Sequence, residues 1–196
     1  AADALEYFSA PGRTEIGGNH TDHNHGKVLA AAVNLDVIAA VKKTDNGVIR
    51  LKSAGYPMDT VDTADLAVKE EEKERSAALI RGVCARLSAL GYKVGGFDAV
   101  TVSRVLKGSG LSSSAAFEVL VVTILSHLYN DDAIDPVEAA QVSKYAENVY
   151  FGKPSGLLDQ MAASVGGFTT MDFADPATPK IEKIDFDLGK FGYALC

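Results

Sequence analysis

The run from Lys107 to Ala116 constrains this chain more than any other segment. It reads Lys-Gly-Ser-Gly-Leu-Ser-Ser-Ser-Ala-Ala and joins a strand-like segment, 97–105, to an apolar helical segment, 115–129. Glycines let the backbone bend so that several N–H groups point inward, and a helix N-terminus adds unpaired N–H groups and a positive dipole end. This order predicts an anion site suited to phosphate. The simpler interpretation is a serine-capped helix after a glycine turn, and no Gly-Lys-Ser/Thr follows, which excludes a Walker A loop.

The remaining elements predict a mixed α+β domain rather than strict βαβ alternation. Strands are predicted at 5–8, at 28–41 (one long strand or two consecutive ones), and at 48–52, 97–105, 168–172, 181–186 and 191–196. Helices are predicted at 76–90, 115–129, 135–150 and 156–165. Asn46-Gly47 predicts a hairpin turn between two strands. The charged run from Lys69 to Arg75 is interpreted as the solvated start of the helix that follows it.

Composition and charge narrow the expected partners. Apolar residues make up 47% and charged residues 23% of the 196 residues, as in a soluble globular domain, and the net charge is -7. An acidic chain is poorly suited to nucleic acid or to an anionic membrane, so neither is expected as a partner. No apolar run approaches the roughly 20 residues that cross a bilayer and no signal peptide is visible, so a cytoplasmic location is expected. Cys84 and Cys196 form no zinc or disulfide pattern.

A second informative segment is polar and covers positions 11–26. It reads Pro-Gly-Arg-Thr-Glu-Ile-Gly-Gly-Asn-His-Thr-Asp-His-Asn-His-Gly and predicts a loop rich in groups that bind a polyol. Asp22 offers two acceptors, and Asn19 and His20 offer donors or acceptors. Arg13 is a fixed cation suited to a transferring phosphoryl group. A zinc site formed by Asp22 with the histidines at 20, 23 and 25 and an ordinary polar surface loop remain alternatives.

Both segments resemble one enzyme family. The run Gly108–Ala116 is similar to the nucleotide loop of the GHMP kinases, which are named for galactokinase, homoserine kinase, mevalonate kinase and phosphomevalonate kinase. The polar segment resembles the galactokinase signature Pro-Gly-Arg-Val-Asn-Leu-Ile-Gly-Glu-His-Thr-Asp-Tyr-Asn-Gly-Gly. The matching residues are Pro11, Gly12, Arg13, Gly18, His20, Thr21, Asp22, Asn24 and Gly26. Asn19 stands where the family has the Glu that contacts the far hydroxyl end of the sugar, and His23 stands where it has Tyr.

The resemblance implies a fold and a reaction. The fold is the GHMP-kinase N-terminal domain (ribosomal protein S5 domain 2-like), a mixed sheet packed with helices, over positions 1–196. The reaction is direct transfer of a phosphoryl group from ATP to the C1 hydroxyl of galactose. Ala146-Glu147-Asn148 and Gly156-Leu157-Leu158-Asp159-Gln160 resemble the family motifs Ala-Glu-His and Gly-Ile-Met-Asp-Gln, which carry the acidic groups.

The resemblance also implies residue roles. Asp159 would accept or orient the hydroxyl proton, and Arg13 would pair with Asp159 and stabilise charge on the transferring group. Glu147 would help hold Mg²⁺ with Ser113 or Ser114. Asp22 would hold the C3 and C4 hydroxyls of the sugar. The full set of expected substrate-binding residues is Asn19, His20, Asp22 and Gly156, and that of ATP-binding residues is Gly108, Gly110, Leu111, Ser112, Ser113, Ser114 and Ala115.

Two alternative functions stay open at this point. Asn19 leaves room for a GHMP kinase acting on another sugar, N-acetylgalactosamine or a pentose. A sugar- and ATP-binding sensor without catalysis is the other alternative. Because the chain starts and stops beside strand-like runs and lacks the family's third, Gly-rich motif, we expect an N-terminal portion of a longer protein, without the C-terminal GHMP domain and inactive by itself.

Overall fold

A computed structural model of the protein describes residues 4–18 and 21–192. Within these residues seven strands form one sheet: β1 (Glu6–Gly17), β2 (Lys27–Lys43), β3 (Val48–Ser53), β4 (Met58–Asp62), β5 (Phe97–Ser103), β6 (Phe168–Asp172) and β7 (Lys180–Ile184). The α-helices are α1 (Ser76–Ala89), α2 (Ser113–Asn130), α3 (Pro136–Tyr145) and α4 (Leu158–Val165). A π-helical turn at Ala146–Phe151 continues α3, and short 3-10 turns lie at Thr21–Asn24, Glu70–Glu72 and Leu188–Phe191. The predicted α+β class is confirmed.

The long strand β2 organises the sheet, whose order is β4-β3-β5-β2-β6-β7, with β1 paired to β2 as well. It runs unbroken over 17 residues, so the first of the two alternatives for this stretch is correct. Its first part also pairs with β6 and its last part with β5, and all of these pairings are antiparallel. The sheet is mixed because β3 runs parallel to β5.

The predicted hairpin at Asn46-Gly47 is wrong. The turn itself forms, since Asn46 Oδ1 accepts a hydrogen bond from the N–H of Val48 at 3.0 Å and Gly47 has a positive φ of 67°. However, β3 pairs with β4 and β5 and does not return along β2. Strand β5 lies between β2 and β3, so the partner of β3 is chosen by packing distant in sequence and not by the turn.

Three local predictions are also corrected, and one strand was missed. Positions 11–17 belong to β1, so the first half of the polar segment is a strand and not a loop. The charged run 69–75 is not the start of α1: it contains a separate 3-10 turn at Glu70–Glu72, and its Glu72 pairs with the buried Arg81 at 2.7 Å. Strand β4 was not anticipated, and Phe191 lies in a 3-10 turn instead of a strand, while positions 193–196 lie outside the described residues.

The helices cover one face of the sheet and enclose the core. Phe97 from β5 and Leu120 and Ile124 from α2 are completely buried there. The other face carries exposed apolar side chains such as Val100 and Val102. Among the described helices, none is both long and apolar enough to cross a membrane. The middle of β1 and the starts of α2 and α4 meet at one edge of this core, and that junction positions the candidate site.

Candidate active site

Arg13 on β1 lies at the centre of this junction, with its side chain only 7% exposed. Its Nε and Nη2 lie 2.8 and 2.7 Å from Asp159 Oδ1. Its Nη1 donates to the carbonyl oxygen of Gly110 at 2.5 Å, and its Nη2 contacts Glu15 Oε1 at 2.8 Å. One guanidinium therefore connects the N-terminal segment, the Gly-Ser loop and α4. The pairing of Arg13 with Asp159 expected from the sequence is present.

The Gly-Ser loop docks directly on β1 through its backbone. The N–H of Arg13 donates to the carbonyl oxygen of Leu111 at 3.1 Å. A Cβ on Gly12 would lie 2.9 Å from that same oxygen, so only glycine allows this close approach. Gly108 and Gly110 have φ angles of 80° and 77°, a left-handed conformation that L side chains rarely adopt. Two glycines thus shape the loop and a third lets the strand hold it.

The hydroxyl of Ser112 makes a hydrogen bond that the sequence did not predict. Ser112 is the N-cap residue of α2 with a φ of 57°, yet its hydroxyl makes no capping bond to that helix. Instead, Ser112 Oγ donates to Asp159 Oδ2 at 2.6 Å. Because the cap residue is diverted, the first N–H groups of an 18-residue helix are left for another acceptor. This is the arrangement that binds an anion at a helix N-terminus.

Asp159 is therefore held from both sides. Arg13 binds its Oδ1 and Ser112 binds its Oδ2, while the side chain keeps 32% of its surface exposed. Asp159 is the second residue of α4, whose positive end lies next to its carboxylate. The group is fixed in orientation and remains accessible from the cleft.

Asp22 lies in the 3-10 turn that follows β1, and its side chain is 5% exposed. Its Oδ2 accepts hydrogen bonds from the N–H groups of Leu157 and Leu158 at 3.0 and 3.2 Å, at the start of α4. A Cβ on Gly156 would lie 2.5 Å from Asp22 Cγ and 3.0 Å from Oδ1, so no side chain fits at that position. Gly156 acts here by admitting the Asp22 carboxylate to the helix end.

Glu147 lies in the π-helical turn and its side chain is 2% exposed. Its Oε1 accepts from Ser114 Oγ at 2.9 Å and from Lys153 Nζ at 3.1 Å, and its Oε2 accepts from Gln160 Nε2 at 2.8 Å. The same Gln160 amide donates to Glu118 Oε2 at 3.2 Å. Burial, and next the nearby Glu147 carboxylate, raise the pKa of Glu118 well above its ordinary value.

Several of these groups border a cleft of about 350 Å³. Its lining residues are Arg13, Leu106, Lys107, Gly108, Gly110, Ser112, Ser113, Ser114, Glu147, Phe151, Lys153 and Asp159. A second cavity of about 350 Å³ shares Lys107, Ser113, Ser114 and Phe151 with it and continues over apolar side chains that include Leu79, Val105 and Phe117. A polar cleft at a helix N-terminus thus opens into an apolar pocket.

Some expected residues are not tested by this geometry. Asn19 and His20 lie outside the described residues. His25 Nδ1 lies 3.2 Å from the carbonyl oxygen of Ala174. Over positions 4–18 and 21–192, no group of three or more His, Cys, Asp or Glu side chains is arranged to hold a metal ion, so the described part of the polar segment offers no support for the zinc alternative.

Sequence reasoning missed four residues of the site: Glu15, Glu118, Lys153 and Gln160. A signal existed for two of them. Glu118 is the one charged residue in the apolar helix α2 before its histidine, and Gln160 directly follows Asp159 in its motif. Nothing in the sequence indicated that Lys153 would contact Glu147 or that Glu15 would contact Arg13.

Two family models match the chain. The model described as galactokinase galactose-binding signature matches residues 2–43, and the model described as GHMP kinases N terminal domain matches residues 78–167. Together the two matches include both motif-bearing segments, and over them the chain is similar to the GHMP kinases. The first match is specific to the galactokinase signature, and Arg13 and Asp22 both lie within it. The second covers the Gly-Ser loop, Glu147 and Asp159.

Curated relatives of this chain include galactokinases. A galactokinase of Clostridium tetani is 32% identical over 96% of this chain and 48% of its own length, and one of Pyrococcus furiosus is 36% identical over 90% and 49%. The chain spans about half the length of these relatives. A crystal structure of Lactococcus lactis galactokinase complexed with galactose matches with a TM-score of 0.83 and 27% identity, over 94% of this chain and 48% of that one.

A more distant match shows the shared architecture. The Methanococcus jannaschii mevalonate kinase has a TM-score of 0.75 at 18% identity, over 97% of this chain and 59% of that one. The expected fold, a GHMP-kinase N-terminal domain with a mixed sheet packed by helices, is confirmed. At this identity the mevalonate kinase match carries the fold and nothing about substrate.

Proposed function

We propose that the protein containing this chain is a galactokinase, which transfers the γ-phosphoryl group of ATP to the C1 hydroxyl of galactose. The observation that carries the proposal is the Asp159 carboxylate, held by Arg13 on one oxygen and by Ser112 on the other. This carboxylate lies between the N-terminus of α2 and the turn that carries Asp22. The galactokinase signature and the curated galactokinase relatives support the choice of sugar.

Asp159 and Arg13 are proposed to act on the reacting oxygen and the transferred group. Asp159 accepts the C1 hydroxyl proton, or orients that oxygen, with its two hydrogen-bond donors fixing the direction of its free lone pairs. Arg13 stabilises the charge that spreads over the transferred phosphoryl oxygens. In phosphoryl transfer, positioning and electrostatics supply most of the rate enhancement, so a carboxylate locked on both oxygens suits the reaction.

ATP is proposed to bind along the cleft. Its phosphates would lie at the uncapped N-terminus of α2, against the loop residues Gly108, Gly110, Leu111, Ser112, Ser113, Ser114 and Ala115. The adjoining apolar pocket beside Phe117 is the place for the adenine ring. The serine hydroxyls and backbone N–H groups are donors, which is what phosphate oxygens require.

The donor chemistry at the same cleft fits Mg²⁺. Glu147 and Ser114 are already 2.9 Å apart, Ser113 borders the same space, and all three offer hard oxygen ligands. Mg²⁺ usually uses one or two protein carboxylates together with substrate phosphates, so this small donor set is sufficient. Bound there, the ion would neutralise charge on the phosphate oxygens.

Asp22 is proposed to hold the sugar by its C3 and C4 hydroxyls, with Asn19 and His20 as further ligands and Gly156 keeping Asp22 in place. Of the two oxygens of Asp22, Oδ2 is occupied by the start of α4. Oδ1 is then the oxygen that remains for a sugar hydroxyl. Asp22 would thus bind a hydroxyl with one oxygen while α4 holds the other.

Steady-state phosphorylation assays of the full-length protein test the proposal. ATP-dependent formation of galactose 1-phosphate is expected, with slower turnover of N-acetylgalactosamine and of pentoses. Asp159→Asn should lower kcat by about 10²- to 10⁴-fold while galactose still binds. The exposed Asp175→Asn is the matched control and should leave kcat unchanged. Absence of turnover with galactose would refute the proposal. An undiminished kcat in Asp159→Asn would refute the role assigned to Asp159.

We further propose that the 196-residue chain by itself does not catalyse the phosphorylation of galactose. The relatives it matches are about twice as long, so half of the sequence of a relative has no counterpart in these 196 residues. Sustained ATP-dependent phosphorylation of galactose by the purified 196-residue chain would contradict this.

A further inference from the structure

The side chain of Lys153 lies where the cleft meets the buried Glu147. Gly152, with a φ of 86°, ends the π-helical turn in a left-handed conformation. The N–H groups of Gly152 and Lys153 both donate to the carbonyl oxygen of Glu147 at 3.1 Å. The backbone of Lys153 is therefore fixed directly above Glu147, and its side chain folds back over that carboxylate.

The ammonium group of Lys153 contacts one particular oxygen. Lys153 Nζ lies 3.1 Å from Glu147 Oε1, which is the oxygen that also accepts from Ser114 Oγ. The other oxygen, Oε2, is bound by the completely buried Gln160. Oε1 is thus the part of this carboxylate that faces the cleft, and a side-chain cation covers it.

The two partners differ sharply in exposure. The Lys153 side chain is 58% exposed and the Glu147 side chain is 2% exposed. The ammonium of an exposed lysine is strongly hydrated, so water can solvate it as soon as it leaves the contact. The buried carboxylate, in contrast, needs a positive partner at all times.

We propose that Lys153 is an exchangeable cation for this site. It neutralises Glu147 when no nucleotide is bound, and it moves to the phosphate oxygens of the nucleotide when a divalent cation takes the Glu147–Ser114 position. Two cations cannot share Oε1 closely because they repel each other, and phosphates bound at the N-terminus of α2 would lie in the same cleft that Lys153 lines. The inference rests on the proposed nucleotide and Mg²⁺ binding at this cleft.

This exchange predicts two effects of opposite sign. Lys153→Met keeps the length of the side chain and removes its charge. Binding of Mn²⁺ without nucleotide, followed by electron paramagnetic resonance, should become about two- to fivefold tighter, because the competing ammonium is gone. Binding of ATP in saturating Mg²⁺, followed by calorimetry, should become about five- to tenfold weaker, because a phosphate ligand is lost. A purely structural role would not tighten one ligand while weakening the other.

Two further variants act as controls. Lys153→Arg keeps the charge and should restore ATP binding to within about twofold of the unmodified protein. Lys73→Met removes a lysine beside the same turn that pairs instead with Glu70 at 2.7 Å, and it should change neither affinity. Thermal unfolding of each variant checks that the fold is retained.

The outcomes separate this inference from the proposed function. Failure of the unmodified protein to bind both Mn²⁺ and ATP contradicts the proposed function itself. If the unmodified protein binds both and Lys153→Met leaves Mn²⁺ affinity unchanged or weaker, the exchange is refuted. Unchanged ATP affinity in Lys153→Met refutes the phosphate contact.

Discussion

The contact between Gly156 and Asp22 makes the sharpest prediction about this site. Position 156 has no room for a methyl group, since a Cβ there would lie 2.5 Å from Asp22 Cγ. The backbone of Gly156 is not in the left-handed region, so the obstacle is steric and has a single cause. Gly156→Ala is therefore expected to displace the Asp22 carboxylate from the start of α4.

The size of the effect follows from what Asp22 loses. Its Oδ2 accepts two backbone hydrogen bonds, from Leu157 at 3.0 Å and Leu158 at 3.2 Å. Hydrogen bonds to a charged group contribute about 1.5–3 kcal/mol each, so complete displacement would cost about 3–6 kcal/mol. A carboxylate that shifts and keeps one of them would lose about half of that. We expect the free energy of unfolding to fall by about 2–4 kcal/mol.

A double-mutant cycle isolates the cause. The three atoms nearest to the added Cβ all belong to the Asp22 carboxylate, so Asp22→Ala removes the clash. In that background, Gly156→Ala should cost less than about 0.5 kcal/mol, or stabilise slightly by restricting the unfolded chain. Gly17→Ala is the matched control, because a Cβ there meets no atom within 4 Å. Urea unfolding of each variant gives the free energies.

Galactose binding provides the second measurement. If Asp22 holds the sugar, Gly156→Ala should weaken galactose binding by at least about tenfold, a loss that corresponds to one hydrogen bond to a charged group. Gly17→Ala should bind normally. An equal cost of Gly156→Ala with and without Asp22 would refute the reasoning, since the clash would then have another origin.

Three further predictions concern buried groups. Burial raises the pKa of Glu118, so Glu118 retains a proton in the folded protein that it has lost in the unfolded chain. The free energy of unfolding should therefore fall as pH rises above 4.5, by about 1.4 kcal/mol per pH unit up to the raised pKa. Glu118→Gln should remove this slope in urea unfolding measured from pH 4 to 9. Burial raises the pKa of Cys84 to about 12, so in a Cys196→Ser protein a thiol reagent should label Cys84 only as fast as the chain unfolds. Arg81→Met should lower the free energy of unfolding by about 3 kcal/mol, because the Glu72 carboxylate loses the cation that binds it through two nitrogens. An unchanged urea midpoint would contradict this.

The spacing of apolar residues predicted those helices and strands whose conformation is determined by their own sequence. Helix α1 begins at Ser76 and ends before Gly91, and β5 begins at Phe97, because each pattern of apolar residues is long and regular. Strand β4 escaped prediction because its five residues include three polar ones. One of these, Asp59, is buried and accepts a hydrogen bond from Ser76 Oγ at 2.5 Å, a partner that only packing supplies.

Motif order predicted the members of the site, but their contacts depend on packing. Ser112 looked like a helix cap or a phosphate ligand, and its hydroxyl instead binds Asp159, which is 47 positions away in the chain. Glu147 was expected on an ordinary helix, and it lies in a π-helical turn whose end presents Lys153 to it. No local pattern encodes contacts between residues so far apart.

The use of the two helix N-termini explains where a substrate anion can bind. At α4 the first N–H groups are occupied by Asp22, a carboxylate 135 positions earlier in the chain, so that dipole end holds an internal anion. At α2 the residue that would normally cap the helix, Ser112, turns its hydroxyl to Asp159. Arg13 holds the same Asp159 from the other side. The protein thus fills one positive helix end with its own carboxylate and leaves the other open for the proposed phosphate, with the candidate catalytic carboxylate between them.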